Sequence, residues 1–117
     1  MKIQSYKDLI VWQKSIKLVK LIYEMVKNFP KSETFALSDQ LRRASVSISS
    51  NIAEGYGRRS HKEYLQFYSI AYGSALEVET QIIISKELGF VSQAEFEIVN
   101  SILTEVIKML YVMVFRN

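Results

Sequence analysis

The chain has 117 residues, a formal net charge of +3, 49% hydrophobic side chains, four glycines, one proline and no cysteine. That length suits a single domain over residues 1–117 with enough apolar side chains for a core, which excludes a disordered tail. So few turn formers argue against a β-sandwich or barrel, and the lack of cysteine removes disulfide frameworks, thiolate metal sites and cysteine nucleophiles.

Residues 1–8 are mostly polar and lack the apolar stretch of a signal peptide. The most apolar run, residues 106–115, is short for a bilayer and contains Lys108, so the expected location is cytoplasmic. Charge is divided unevenly. Residues 1–62 carry 12 basic and 5 acidic side chains, and residues 63–117 carry 3 basic and 7 acidic. Such a division fits a nucleic-acid face on the first half, or electrostatic pairing between the halves within or between subunits.

Breakers and caps predict four helices. The first covers residues 6–28, opened by Ser5 with Asp8 as a capping pair and closed by Phe29-Pro30. Val11, Trp12, Leu18, Val19, Ile22, Tyr23 and Val26 recur on one side, with Lys7, Lys14, Lys17, Lys20, Glu24 and Lys27 on the other. The second covers residues 34–54, with a narrow stripe of Leu37, Leu41, Ala44, Ile48 and Ile52 among serines and charges; Gly55 and Gly57 are its expected stops. The serines are mediocre helix formers, so packing must hold this helix.

The third helix opens at the capping box Ser60-His61-Lys62-Glu63 and runs to residue 88, where Gly89 is the expected left-handed stop and Phe90 folds back. Tyr64, Leu65, Tyr68, Tyr72, Ala75, Leu76, Ile82 and Ile83 form its broad face. A second box, Ser92-Gln93-Ala94-Glu95, opens the fourth helix, whose stripe is Ile102, Val106, Met109, Leu110 and Met113. Long amphipathic helices with short connections give an all-α, antiparallel up-down four-helix bundle. Helices one and four carry more apolar surface than one bundle side needs, which predicts a homo-oligomer.

Catalytic chemistry is sparse. The single histidine, His61, lies in a capping box at a helix start, where an exposed side chain is expected. No Glu-x-x-His pair exists for a di-iron site, and Glu77 and Glu79 lack a matching carboxylate cluster for a hard cation. Gly55-Tyr56-Gly57 lacks the strand and the third glycine of a phosphate-binding fingerprint. The expectation is a non-enzymatic protein with no metal and no cofactor.

Basic residues offer a different chemistry. Arg58, Arg59 and Lys62 gather at the start of helix three, where free backbone N–H groups and the helix dipole favour phosphate, and Tyr56 is placed to stack on a base. Lys14, Lys17, Lys20 and Lys27 form a second line along helix one. Together these fit a protein that follows nucleic-acid backbone without reading bases. Glu79 is a carboxylate beside Tyr68, Tyr72 and Leu76, and a structural ion pair with Arg42 or Arg43 is expected. Asn51 borders the apolar stripe and is expected to bond a neighbouring helix, and Glu54 to pair with Arg58. Arg42 and Arg43 either line a pore or bridge subunits.

Gln40-Leu41-Arg42-Arg43-Ala44-Ser45 and Ser47-Ile48-Ser49-Ser50-Asn51-Ile52-Ala53-Glu54-Gly55 carry a resemblance. It extends to Val11-Trp12-Gln13, Phe29-Pro30, Gly57-Arg58, Ser60, the segment Ala71-x-Gly73-Ser74-x-Leu76-Glu77-x-Glu79, and Leu88-Gly89. The sequence resembles the bacterial four-helix-bundle family named for proteins encoded in 23S ribosomal RNA intervening sequences, over nearly the whole chain. Ser49 stands where family members often have proline. The resemblance implies an up-down bundle assembled into a ring, commonly a homopentamer, and no catalytic activity. Related bundle proteins are accessory proteins to reverse transcriptases of diversity-generating retroelements, which makes RNA and a reverse transcriptase the implied partners. The function expected is a homo-oligomeric RNA-associated scaffold; the alternative is a protein-binding or structural oligomer with no RNA contact of its own.

Overall fold

The computed structural model describes residues 2–116. It has four helices, α1 (Ile10–Val26), α2 (Leu37–Tyr56), α3 (His61–Glu87) and α4 (Gln93–Phe115), with 3-10 turns at Tyr6–Asp8 and Lys31–Glu33. No strand occurs among the described residues. Successive helices pack side by side, α1 closes on α4, and neither α1 with α3 nor α2 with α4 makes a close backbone approach. Cross-helix pairs fix the antiparallel order: Ser15 with Ser49, Ser47 with Ser74, and Lys86 with Phe96. This is the expected up-down bundle.

Local chemistry sets the ends. The Ser5–Asp8 capping box forms in full, but it closes the 3-10 turn at Tyr6–Asp8, and α1 starts only at Ile10. The second helix likewise starts later than expected: residues 31–33 make a 3-10 turn, and Glu33 Oε1 accepts the Leu37 N–H at 3.4 Å in place of a cap. Ser60 Oγ accepts the Glu63 N–H and Ser92 Oγ the Glu95 N–H, so both expected serine caps are present. At the end of α3, Gly89 adopts φ +79°. The Phe90 N–H donates to Ser85 O and the Gly89 N–H to Lys86 O, the double bond pattern that a left-handed glycine allows.

The core runs the length of the bundle. Leu18, Ile22, Leu41, Ile48, Ile52, Ile82, Leu103 and Leu110 are fully buried. The narrow stripe expected for the second helix is buried apart from Leu37, which packs at the margin. Hydroxyls fill the rest of its contacts. Ser15 Oγ lies 2.9 Å from Ser49 Oγ across the α1–α2 seam, and Ser47 Oγ lies 2.9 Å from Ser74 Oγ across the α2–α3 seam. Among the described residues no buried hydroxyl lacks a partner, and such pairs let the backbones approach.

Two expectations change. Gly55 does not stop α2: it lies inside the helix, buried, and the chain leaves helical geometry after Gly57. The surplus apolar surface sits on α3 and α4 more than on α1. Ile70, Leu76, Ile83 and Ile84 of α3 and Ile98, Tyr111, Val112 and Phe115 of α4 are exposed, so Leu76 and Ile83 are not core positions. Among the described residues, α4 is the one helix long and apolar enough by length and composition to cross a membrane. In the bundle it packs on α1 and α3.

Candidate functional site

An up-down bundle places the start of every odd helix and the end of every even helix at the same pole. Here that pole receives the 3-10 turn at Tyr6–Asp8, the end of α2, the start of α3 and the end of α4. Arg58, Arg59, Lys62 and Tyr56 from the α2–α3 connection therefore lie at the same end of the bundle as Lys7 and Arg116 from the two ends of the chain. Lys7 and Arg116 were absent from the sequence-based set, because 109 positions separate them and only helix parity brings them to one end.

Arg58 is held in place. Its Nη2 donates to Glu54 Oε2 at 2.8 Å, as expected, and its guanidinium carbon lies 4.4 Å from the Phe67 ring centroid. Arg59 and Lys62 are exposed and make no hydrogen bond or ion pair among the described residues. The acidic groups of this pole are already engaged. Asp8 Oδ2 accepts the Gln4 and Ser5 N–H groups, Glu54 takes Arg58, and Glu63 Oε2 accepts the Ser60 hydroxyl at 3.0 Å. The pole thus presents cations over the positive end of a 27-residue helix. His61 is exposed as expected, and its Nδ1 is bonded to the Tyr64 hydroxyl.

Beneath Tyr56 lies an aromatic hollow of about 280 Å³ lined by Gly55, Tyr56, Tyr64, Tyr68 and Met113. Burial pushes the Tyr68 phenol above its ordinary pKa of 10.0, and the Tyr64 and Tyr56 phenols push it the same way.

The remaining basic residues do not join this pole. Lys14 turns to α4, with Nζ 3.1 Å from Glu105 Oε2, and Lys27 pairs with Glu24 at 3.0 Å. Lys17 and Lys20 are exposed on α1. Arg43 Nε donates to Asp39 Oδ2 at 2.8 Å, and Arg42 Nη2 donates to Thr34 O at 3.1 Å with Asp39 Oδ1 3.9 Å away. The expected pair of these arginines with Glu79 does not form, for a geometric reason. Ser74 and Gln81 mark the side of α3 that faces α2. Glu79 is two positions from Gln81, about 160° round the helix, and so lies away from α2. Asn51 also departs from expectation: its Nδ2 donates within its own helix, to Ser47 O at 2.8 Å and Ser47 Oγ at 3.1 Å. It reaches α3 only through the Ser47–Ser74 hydroxyl pair.

Comparison with known proteins agrees with this architecture. The family model described as 23S rRNA-intervening sequence protein matches residues 7–112. A crystal structure of a protein of unknown function from the S23 ribosomal protein family of Bacteroides thetaiotaomicron superposes with a TM-score of 0.81 at 25% identity. The match covers 91% of this chain and 99% of that one. No curated protein matches the chain. A family match over this span, on a bundle with the same fold, establishes the membership: the chain belongs to the 23S rRNA-intervening sequence protein family.

Proposed function

We propose that this protein is a non-enzymatic, homo-oligomeric cytoplasmic scaffold that holds RNA by its phosphate backbone at the basic pole. One observation carries the reading. Arg58, Arg59, Lys62, Lys7 and Arg116 share the pole at the start of α3, while Asp8, Glu54 and Glu63 there are already bonded within the chain. Five cations outnumber the three carboxylates there, and an excess of positive charge set over a helix N-terminus suits a polyanion. Tyr56, 36% exposed, adds a ring on which a base stacks. The exposed apolar residues of α3 and α4 support self-association, and a ring of copies would repeat the pole around a common axis. A reverse transcriptase is the class of protein partner such an RNA-holding ring would serve.

The test is RNA binding by nuclease-treated protein at about 50 mM and 200 mM salt, a range over which backbone contacts lose orders of magnitude in affinity. Tight, salt-sensitive binding that disappears in Arg58→Glu with Arg59→Glu is expected. The division of charge between the two halves favours a second reading, a structural oligomer with no RNA contact of its own. Absence of binding at the lower salt selects that reading and refutes the first.

A further inference from the structure

The aromatic hollow beneath Tyr56 is built from three helix ends. Gly55 and Tyr56 come from the end of α2, Tyr64 and Tyr68 from the start of α3, and Met113 from the last turn of α4. All three ends belong to the basic pole. Arg58 and Arg59 follow Tyr56 closely in the chain, and Lys62 stands two positions before Tyr64. Exposure falls from the mouth of the hollow to its floor: Tyr56 is 36% exposed and Tyr68 8%. The Tyr64 and Tyr68 rings are tilted by 48° with centroids 5.5 Å apart, so they form a corner and not a stack.

Tyr68 points to a ligand. Its side chain is buried, yet its hydroxyl makes no hydrogen bond among the described residues. The hydroxyl is not sealed in, because Gln81 Oε1 is the one fully buried side-chain polar atom without a partner among those residues. It therefore opens on the hollow that Tyr68 lines. Burial raises its pKa and keeps it protonated, the form that donates. A free hydroxyl at the floor, aromatic rings on the walls and a polarisable thioether beside them suit a planar, conjugated ligand with hydrogen-bonding edges. A nucleobase has all of these properties. The volume, about 280 Å³, is at the low end for ligand pockets and suits one ring system.

We propose that the hollow takes one unpaired base of an RNA strand whose phosphates rest on Arg59 and Lys62, so that the pole selects single strands over duplex. This rests on the RNA reading of the pole and names the form of RNA it holds. A base in a duplex is stacked on both faces and paired along its edge, so it does not reach the hollow unless it is extruded. The Tyr68 hydroxyl both donates and accepts, so it meets the edge of any base, and selection is for strandedness and not for sequence.

The test compares a labelled single-stranded RNA with the blunt duplex of the same length, by fluorescence anisotropy at one salt concentration. The wild type is expected to bind the single strand more tightly. Tyr56→Ala, at an exposed helix end, is expected to keep the wild-type helix content and to weaken single-strand binding by about 5- to 150-fold, the range for one stacked base. Duplex binding and the salt slope should not change, since a stacked ring carries no charge. Tyr68→Phe keeps the ring and is expected to weaken the single strand alone by about 2- to 12-fold, the loss of one hydrogen bond. If neither RNA binds, the RNA reading and this assignment fail together. If the wild type binds both alike, or if Tyr56→Ala weakens both alike or neither, the hollow holds no base while the RNA reading stands. Adenosine monophosphate tests for a free nucleotide as the occupant: binding as tight as that of the strand, and lost in Tyr56→Ala, would overturn the proposal.

Discussion

The Tyr68 ring of α3 occupies the space that a side chain on Gly55 of α2 would need. A β-carbon built on Gly55 falls 2.6 Å from Tyr68 Cε1, 2.8 Å from Tyr68 Cδ1 and 3.2 Å from Phe67 Cβ. Phe67 stacks under Arg58, so this contact also supports the basic pole. Gly55→Ala is expected to destabilise the bundle by about 1–3 kcal/mol, the usual cost of overpacking, although alanine is the better helix former. At Gly57 a β-carbon meets nothing closer than 3.6 Å, so Gly57→Ala is expected to stay within about 0.5 kcal/mol of the wild type. Urea denaturation of the two variants checks the contrast, and equal effects would contradict it.

Ser15 and Ser49 make the corresponding contact between α1 and α2. Ser15 Oγ is 2.6 Å from Trp12 O as well as 2.9 Å from Ser49 Oγ, which orders the pair: Ser15 donates to the carbonyl and Ser49 donates to Ser15. Removing the Ser15 hydroxyl strands that of Ser49 in a buried site, at a cost of about 1–3 kcal/mol, whereas removing the Ser49 hydroxyl leaves Ser15 donating to Trp12 O and costs less. Ser15→Ala and Ser49→Ala are each expected to destabilise, and the double variant by less than the two combined. A double-mutant cycle measures this, and strict additivity would mean that the hydroxyls do not couple.

Alkaline pH should act through Tyr68. Its phenol stays neutral in the fold above its ordinary pKa because it is buried, with Tyr64 and Tyr56 adding to the effect. The unfolded chain gives up this proton first. The corresponding stability is therefore complete below about pH 10 and is lost as pH rises from there through the folded-state pKa. The stability of the wild type relative to Tyr68→Phe is expected to be constant up to about pH 9 and to fall above about pH 10. Denaturant titrations of both proteins across that range test it. Parallel curves would show that Tyr68 ionises as freely in the fold as out of it.

The salt dependence of RNA binding should sort the cations by place. Each phosphate contact removed lowers the slope of log affinity against log salt by about 1 for a duplex. Lys7→Ala and Arg116→Ala are expected to reduce the slope in the way Lys62→Ala does, since all three share a pole. Lys14→Ala should leave it unchanged, because Lys14 is committed to Glu105 on α4. A large effect of Lys14→Ala would move the RNA site to the side of the bundle.

The helices were legible in the sequence because their signals are local. Ser60, Ser92 and Gly89 act on residues within one turn of themselves, and the Leu41–Ala44–Ile48–Ile52 stripe is a periodicity inside one segment. What was not legible depends on a second helix. Gly55 reads as a stop until Tyr68 is placed against it, and Lys14 reads as part of a basic line until Glu105 is placed beside it. The outer face of α3 was also hidden, because its apolar residues fall on all sides and periodicity cannot separate Leu76 and Ile83 from the core. The pole was half legible: the residues 56–62 announce themselves as a cluster, whereas Lys7 and Arg116 enter only through topology.

Three of the four seams join helices adjacent in the chain, and only the α1–α4 seam joins its two ends. Hairpins of neighbouring helices close small loops at little entropic cost, so folding through them is fast. The closure of α1 on α4, where Lys14 and Glu105 bond across 91 positions, is expected to come last because it closes the longest loop. The same seam is expected to be where the folded bundle parts first, because opening it breaks no hairpin. Amide exchange along α1 and α4 should therefore outpace exchange along α2 and α3, making the bundle a clasp with its fastening on one side.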